Sequence, residues 1–160
     1  MSTTADTPRV VREARATEQC DPICAVRAAT VFVDNAERAL HFYVDALGFE
    51  QRPESALPRT GTGIEVAPPD AMTSLVLVQP SLSTMGVERA SVARQRIGEP
   101  TGLILEAEDI EEAYTALQSR GVRFGGPPAA NACGVKTATF RDPDGNEFVL
   151  VEAPRGAPPG

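Results

Sequence analysis

The sequence predicts an α+β fold in which two tandem βαβββ modules form a curved mixed sheet around a shared cleft. Three observations predict it. A strand-like run followed by a capped amphipathic helix occurs twice, the two occurrences keep nearly constant spacing, and each is followed by three short strand-like segments.

Taken in order, residues 1–23 are polar, charged and proline-containing, which reads as a flexible N-terminal arm. The first module covers residues 24–80. It opens on the strand-like run Ala29-Thr-Val-Phe-Val33. Asn35 then caps a helix whose apolar side is Ala36, Ala39, Leu40, Tyr43 and Leu47, and Gly48 closes it. Strand-like segments follow at about 48–55, 61–67 and 73–79.

Residues 81–100 form a polar connection with a helix-like patch from Val87 to Ile97, and a connection of this length is a candidate lid. The second module covers residues 101–153. Here Leu103-Ile-Leu105 is the strand, Asp109 with Glu112 forms a capping box, Ile110, Ala113, Tyr114 and Leu117 make the apolar stripe, and Gly121 ends the helix. Its strands fall at about 122–125, 135–141 and 146–152, and the proline-rich residues 154–160 form a flexible tail.

The repeat has a measurable register. Asn35 maps onto Asp109 at an offset of 74, and Gly48 onto Gly121 at 73. The closing strands also echo each other, Leu75-Val-Leu-Val-Gln79 against Phe148-Val-Leu-Val-Glu152. A single module would leave one sheet face uncovered, so two must pair, and the cleft between them is the natural ligand site.

Composition narrows the partners. The 160 residues are 42% hydrophobic, which suits a folded globule. No run of about 18 apolar residues is present and residues 1–17 hold no apolar signal segment, so a cytoplasmic protein is expected. The formal charge of −7 argues against nucleic acid and anionic membrane, leaving a small molecule as the expected partner. Three cysteines, Cys20, Cys24 and Cys133, read as reduced thiols. Cys133 sits in a loop where only Lys136 is near to lower its pKa, which makes it a poor nucleophile.

Several segments carry a family resemblance: Val33-Asp34-Asn35, Ala39-Leu40-His41-Phe42-Tyr43, Leu47-Gly48-Phe49, Asp109-Ile110, Arg120-Gly121-Val122 and Phe140-Arg-Asp-Pro-Asp-Gly-Asn146. Together they resemble the vicinal oxygen chelate superfamily, which includes glyoxalase I, bleomycin and fosfomycin resistance proteins, extradiol dioxygenases and methylmalonyl-CoA epimerase. The physical reading stands beside the resemblance. Pro143 and Gly145 suit a tight turn that sets the register of the last strand, and Phe42, Tyr43 and Phe49 read as packing between helix and sheet.

The resemblance also implies where a metal would bind. In metal-dependent members a ligand opens the first strand of each module, seven residues before the helix cap, and another lies in the last strand, four residues after the turn glycine. Those positions are Ala28, Gly102 and Val149, with Val76 as the counterpart in the first module. None can donate a lone pair, and a shift of one residue brings only Arg27 or Thr101, so no metal and no other cofactor is expected. His41, the single histidine, shares a helix face with Glu37 and Asp45 and reads as a surface residue.

Strand alternation fills in the remaining cleft positions. Thr30 and Phe32 turn inward with Ala28, and Val78 accompanies Val76. Ile104 and Glu106 follow Gly102, while Glu147 and Val151 flank Val149. Such a lining suits a hydrophobic or aromatic ligand, with Glu106 and Glu147 as the acid/base candidates.

The leading reading is therefore a metal-free binding protein that sequesters a drug or handles a metabolite. The alternatives are a metal-independent isomerase, cyclase or lyase using a cleft glutamate, a metal-dependent lyase or dioxygenase with displaced ligands, and a structural or regulatory dimer. A homodimer is compatible with each, since modules of this fold pair within a chain or between chains.

Overall fold

The structure, a computed structural model, describes residue 23 and residues 25–53 and 62–154. Most of the expected arm, Cys20, Cys24 and the tail from residue 155 onward lie outside the described residues.

The α+β class and the two-module organisation are both present. The first sheet has strand order β1 (Ala28–Phe32), β4 (Ser74–Gln79), β3 (Thr62–Ala67) and β2 (Glu50–Gln51). The second has order β5 (Pro100–Ala107), β9 (Glu147–Glu152), β8 (Lys136–Arg141) and β6 (Arg123–Phe124). A short strand β7 (Ala129–Ala130), absent from the sequence expectation, adds to β8. In each sheet the opening strand runs parallel to the closing one and the other pairs are antiparallel, so both sheets are mixed.

The helices follow from their caps. Asn35 accepts from the Arg38 N–H to start α1 (Ala36–His41), and Asp109 accepts from Glu111 and Glu112 to start α4 (Ile110–Ser119). Residues Phe42–Ala46 continue α1 as a wider π-helical turn. Each helix ends where a glycine adopts positive φ, Gly48 at 76° and Gly121 at 89°. The connection folds as α2 (Leu82–Met85) and α3 (Val87–Gln95), and α3 buries only its Ala90 and Ala93 side.

One core serves both modules. Val31, Val33, Val66, Leu75 and Leu77 of the first sheet pack with Ala39 and Tyr43 of the first helix. Ala138, Phe140, Phe148, Leu150 and Ile110 of the second module complete the same cluster. The modules meet at aromatic rings: Tyr43 lies edge-on to Phe148 at 6.2 Å, and Phe148 stacks on Phe140 at 5.3 Å.

A buried polar cluster locks that junction. Tyr43 donates to Asp142 Oδ2 at 3.0 Å, and Asn146 Nδ2 donates to the same oxygen at 2.8 Å and to the Phe32 carbonyl at 2.9 Å. Asn146 Oδ1 in turn accepts from the Gly98 N–H at 2.8 Å. The Asp-Pro-Asp-Gly turn thus does more than set the last strand: it ties the end of β1 to the start of β5.

Burial holds the Asp142 carboxyl above the usual carboxylate range, opposed by the hydrogen bonds it accepts from Asn146 and Tyr43. Burial, followed by the Asp142 charge, pushes the Tyr43 hydroxyl far above its ordinary value of 10.0. A group whose folded pKa is raised contributes stability that is fully present below the unfolded pKa and is lost progressively as pH rises from there through the folded pKa. In a Tyr114→Phe variant, where Tyr43 is the one tyrosine left, tyrosinate absorbance is expected to appear only together with the loss of circular dichroism that marks unfolding, and not as a separate earlier step.

Candidate functional site

The strands place the expected cleft residues on the side of each sheet that faces away from the core. On the first sheet Ala28, Thr30 and Phe32 stand opposite Ser74, Val76 and Val78 in the β1–β4 register. Thr30 is exposed, Ala28, Phe32 and Val76 are half-buried, and Val78 is buried. Arg96, just beyond α3, lies over the Phe32 ring at 5.7 Å, so the connection between modules reaches this face.

On the second sheet Ile104 pairs with Val149 and Glu106 with Val151. Val149 and Val151 are half-buried, whereas Ile104 is 64% exposed. The β5–β9 register breaks between Pro100 and Ile104, and Gly102 sits in this irregularity with φ 72°. The first-strand position that the resemblance implies for a metal ligand is therefore a glycine in a bulge. With Ala28, Val76 and Val149 at the other three positions, this face offers no donor set there, and among the described residues no group of three or more histidine, cysteine, aspartate or glutamate side chains could hold a metal ion.

The two carboxylate candidates are set apart from each other. Glu106 is exposed and stands level with Val151, while Glu147 stands level with Pro100, four residues away along β9. At about 3.3 Å per residue their backbone positions are offset by about 13 Å along the strands. Glu147 is also engaged: Arg141 donates to its Oε2 from Nη2 at 3.0 Å and from Nε at 3.3 Å. His41 and Cys133 are both exposed, His41 lying 3.4 Å from Asp45 and Cys133 sitting in a turn capped by Asn131.

Cross-strand pairing adds residues that alternation within single strands did not supply. Glu65 lies opposite Val76, half-buried on the outward face of the first sheet, and accepts from the Ser74 hydroxyl at 2.5 Å. On the second sheet Thr137, Thr139 and Arg141 stand opposite Val151, Val149 and Glu147, and Arg123 stands opposite Arg141. Directly opposed residues of an antiparallel pair share a face, so this face is more polar than expected. Its signal in the sequence was the alternation of β8 about the buried Ala138 and Phe140.

A separate open groove of about 530 Å³ lies beside the connection, lined by Gln79, Pro80, Ser81, Leu82, Ser83 and Arg94. None of the sequence-predicted site residues lines it. No helix among the described residues is long and apolar enough to cross a membrane.

Similar proteins share this fold. A crystal structure of a superfamily member from Sphaerobacter thermophilus DSM 20745 is 40% identical, covers 82% of this chain and 98% of its own, and superposes with a TM-score of 0.68. TnmS3, an antibiotic binding protein from Streptomyces sp. CB03234, is 31% identical, with coverage of 84% and 100% and a TM-score of 0.63. The uncharacterized protein YetH of Bacillus subtilis (strain 168) is 28% identical over 127 residues, which make up 79% of this chain and 97% of that one. The family model for the Glyoxalase/Bleomycin resistance protein/Dioxygenase superfamily matches residues 25–150, and the chain belongs to that superfamily.

Proposed function

We propose that the protein is a cytoplasmic, metal-free binder of a hydrophobic or aromatic small molecule, acting in drug sequestration or metabolite handling. The observation that carries this reading is the apolar strip on the outward face of the second sheet, Ile104 at 64% exposure beside the half-buried Val149 and Val151. Apolar side chains on a folded surface favour a partner that removes them from water. The antibiotic-binding role of TnmS3, 31% identical with 84% of this chain covered, supports the same ligand class.

The two faces point away from one core, so closing a cleft over them calls for a second copy, and the proposal includes a homodimer in which sheets of two chains oppose each other. The connection at 81–100 serves as a lid at its rim, consistent with Arg96 over Phe32.

A thermal-shift screen of antibiotics and aromatic metabolites, followed by titration of the hits, tests this reading, because a ligand that binds only the folded state raises apparent stability. Ile104→Arg is expected to weaken binding by at least about tenfold, by putting a charge on the apolar floor. Replacing Glu106 and Glu147 together by glutamine is expected not to weaken binding, since neither carboxylate is asked to hold the ligand. Turnover of a bound ligand that disappears in the double glutamine variant would overturn the binder reading in favour of an enzyme.

A further inference from the structure

Two arginines oppose each other on the outward face of the second sheet. Arg123 of β6 and Arg141 of β8 are directly opposed in the ladder, and both are exposed. Like charges in that position repel, which a sheet built only for stability avoids. Glu147 offsets one of them through its bonds to Arg141. Among the described residues Arg123 has no ion-pair partner. The corner therefore keeps an uncompensated positive charge on a chain whose formal charge is −7.

Its surroundings fit a ligand that is anionic at one end. Thr139 lies one step along the same face of β8, opposite Val149, and adds a hydroxyl-bearing residue to that end of the face. Beyond it the face turns apolar through Val149, Val151 and Ile104. The other carboxylate of this face, Glu106, stands level with Val151 and Thr137, at the opposite end from Arg141. The positive corner is thus polarised against the apolar floor, and a planar guanidinium suits the paired oxygens of an oxyacid.

We infer that Arg123, Arg141 and Thr139 form an anion-binding corner of the cleft, and that the ligand carries a carboxylate, sulfonate or phosphate on its hydrophobic body. This inference rests on the ligand-binding face proposed above and adds the charge of the ligand to it.

Two fluorescent probes separate the two claims: anionic anilinonaphthalene sulfonate and its neutral counterpart phenylnaphthylamine. Both are expected to bind the wild-type protein, and both are expected to weaken in Ile104→Arg relative to the wild type by losing the apolar floor. Arg123→Gln is expected to weaken the sulfonate probe at least about tenfold. The neutral probe is expected to keep its affinity, and the salt dependence of sulfonate binding is expected to diminish in this variant.

Competition against the sulfonate probe by naphthoate, naphthyl phosphate and naphthol identifies the oxyacid: the two anions are expected to displace it better than naphthol, and Arg123→Gln to erase their advantage. Equal effects of Arg123→Gln on both probes, or none on the sulfonate, would overturn the inference while leaving the binder reading intact. Absence of binding by both probes to the wild type would overturn both. Arg123 is exposed, and an unchanged melting temperature for Arg123→Gln checks that any effect is local.

Discussion

Phe148→Ala is expected to cost about 4 kcal/mol of folding stability, the largest loss of any single substitution considered for this chain. Phe148 is fully buried, stacks on Phe140 at 5.3 Å and meets the Tyr43 ring edge-on at 6.2 Å. It stands where the first module's helix meets the second module's sheet, so its neighbours come from both and cannot collapse into the space from one side. The cavity term therefore adds to the lost transfer energy. Against a typical domain stability of about 5–15 kcal/mol, the variant is left with a small margin. Urea unfolding followed by circular dichroism reads the effect as a lower midpoint at similar slope. A loss below about 1 kcal/mol would mean that the two modules do not share this core.

The second large effect is expected from Asn146→Ala, at about 3 kcal/mol. Asn146 is 1% exposed, and its amide makes three bonds: from the Gly98 N–H, to the Phe32 carbonyl and to Asp142 Oδ2. Alanine leaves all three partners short of a bond, one of them a carboxylate that burial already disfavours. Tyr43→Phe removes one donor to the same carboxylate and is expected to cost less. Because Phe32 belongs to the proposed cleft and Gly98 lies two residues before the strand carrying Ile104, Asn146→Ala is also expected to weaken ligand binding at temperatures where the variant remains folded. The same urea titration measures the first effect, and a ligand titration the second.

Much of the fold was legible in the chain because its signals are local. Asn35, Asp109, Gly48 and Gly121 announce helix ends through chemistry confined to one turn, and all four act as expected. The Asp-Pro-Asp-Gly turn was equally clear, but its second task was hidden: the bonds of Asn146 reach Phe32, 114 residues away, and nothing near Asn146 in sequence announces that.

The candidate site was legible where one strand sufficed and obscure where two were needed. Alternation turns Thr30, Phe32, Ile104 and Val149 away from the core, since burial of their neighbours fixes the parity. Glu65, Thr139, Arg141 and Arg123 become part of the same faces only through the β3–β4, β8–β9 and β6–β8 registers. Two-residue strands such as β6 are too short to show a period at all. The bulge at Gly102 is a further case, because a break in register comes from pairing with β9 rather than from Gly102 alone.

Binding through an apolar face without a metal is the proposed mode. It is tested most directly by titrating a hit from the ligand screen into protein purified without chelators, before and after treatment with a strong chelator. The same affinity is expected in both titrations, with Ile104→Arg weakening each alike. Binding that is lost on chelation and restored by a divalent cation would contradict it.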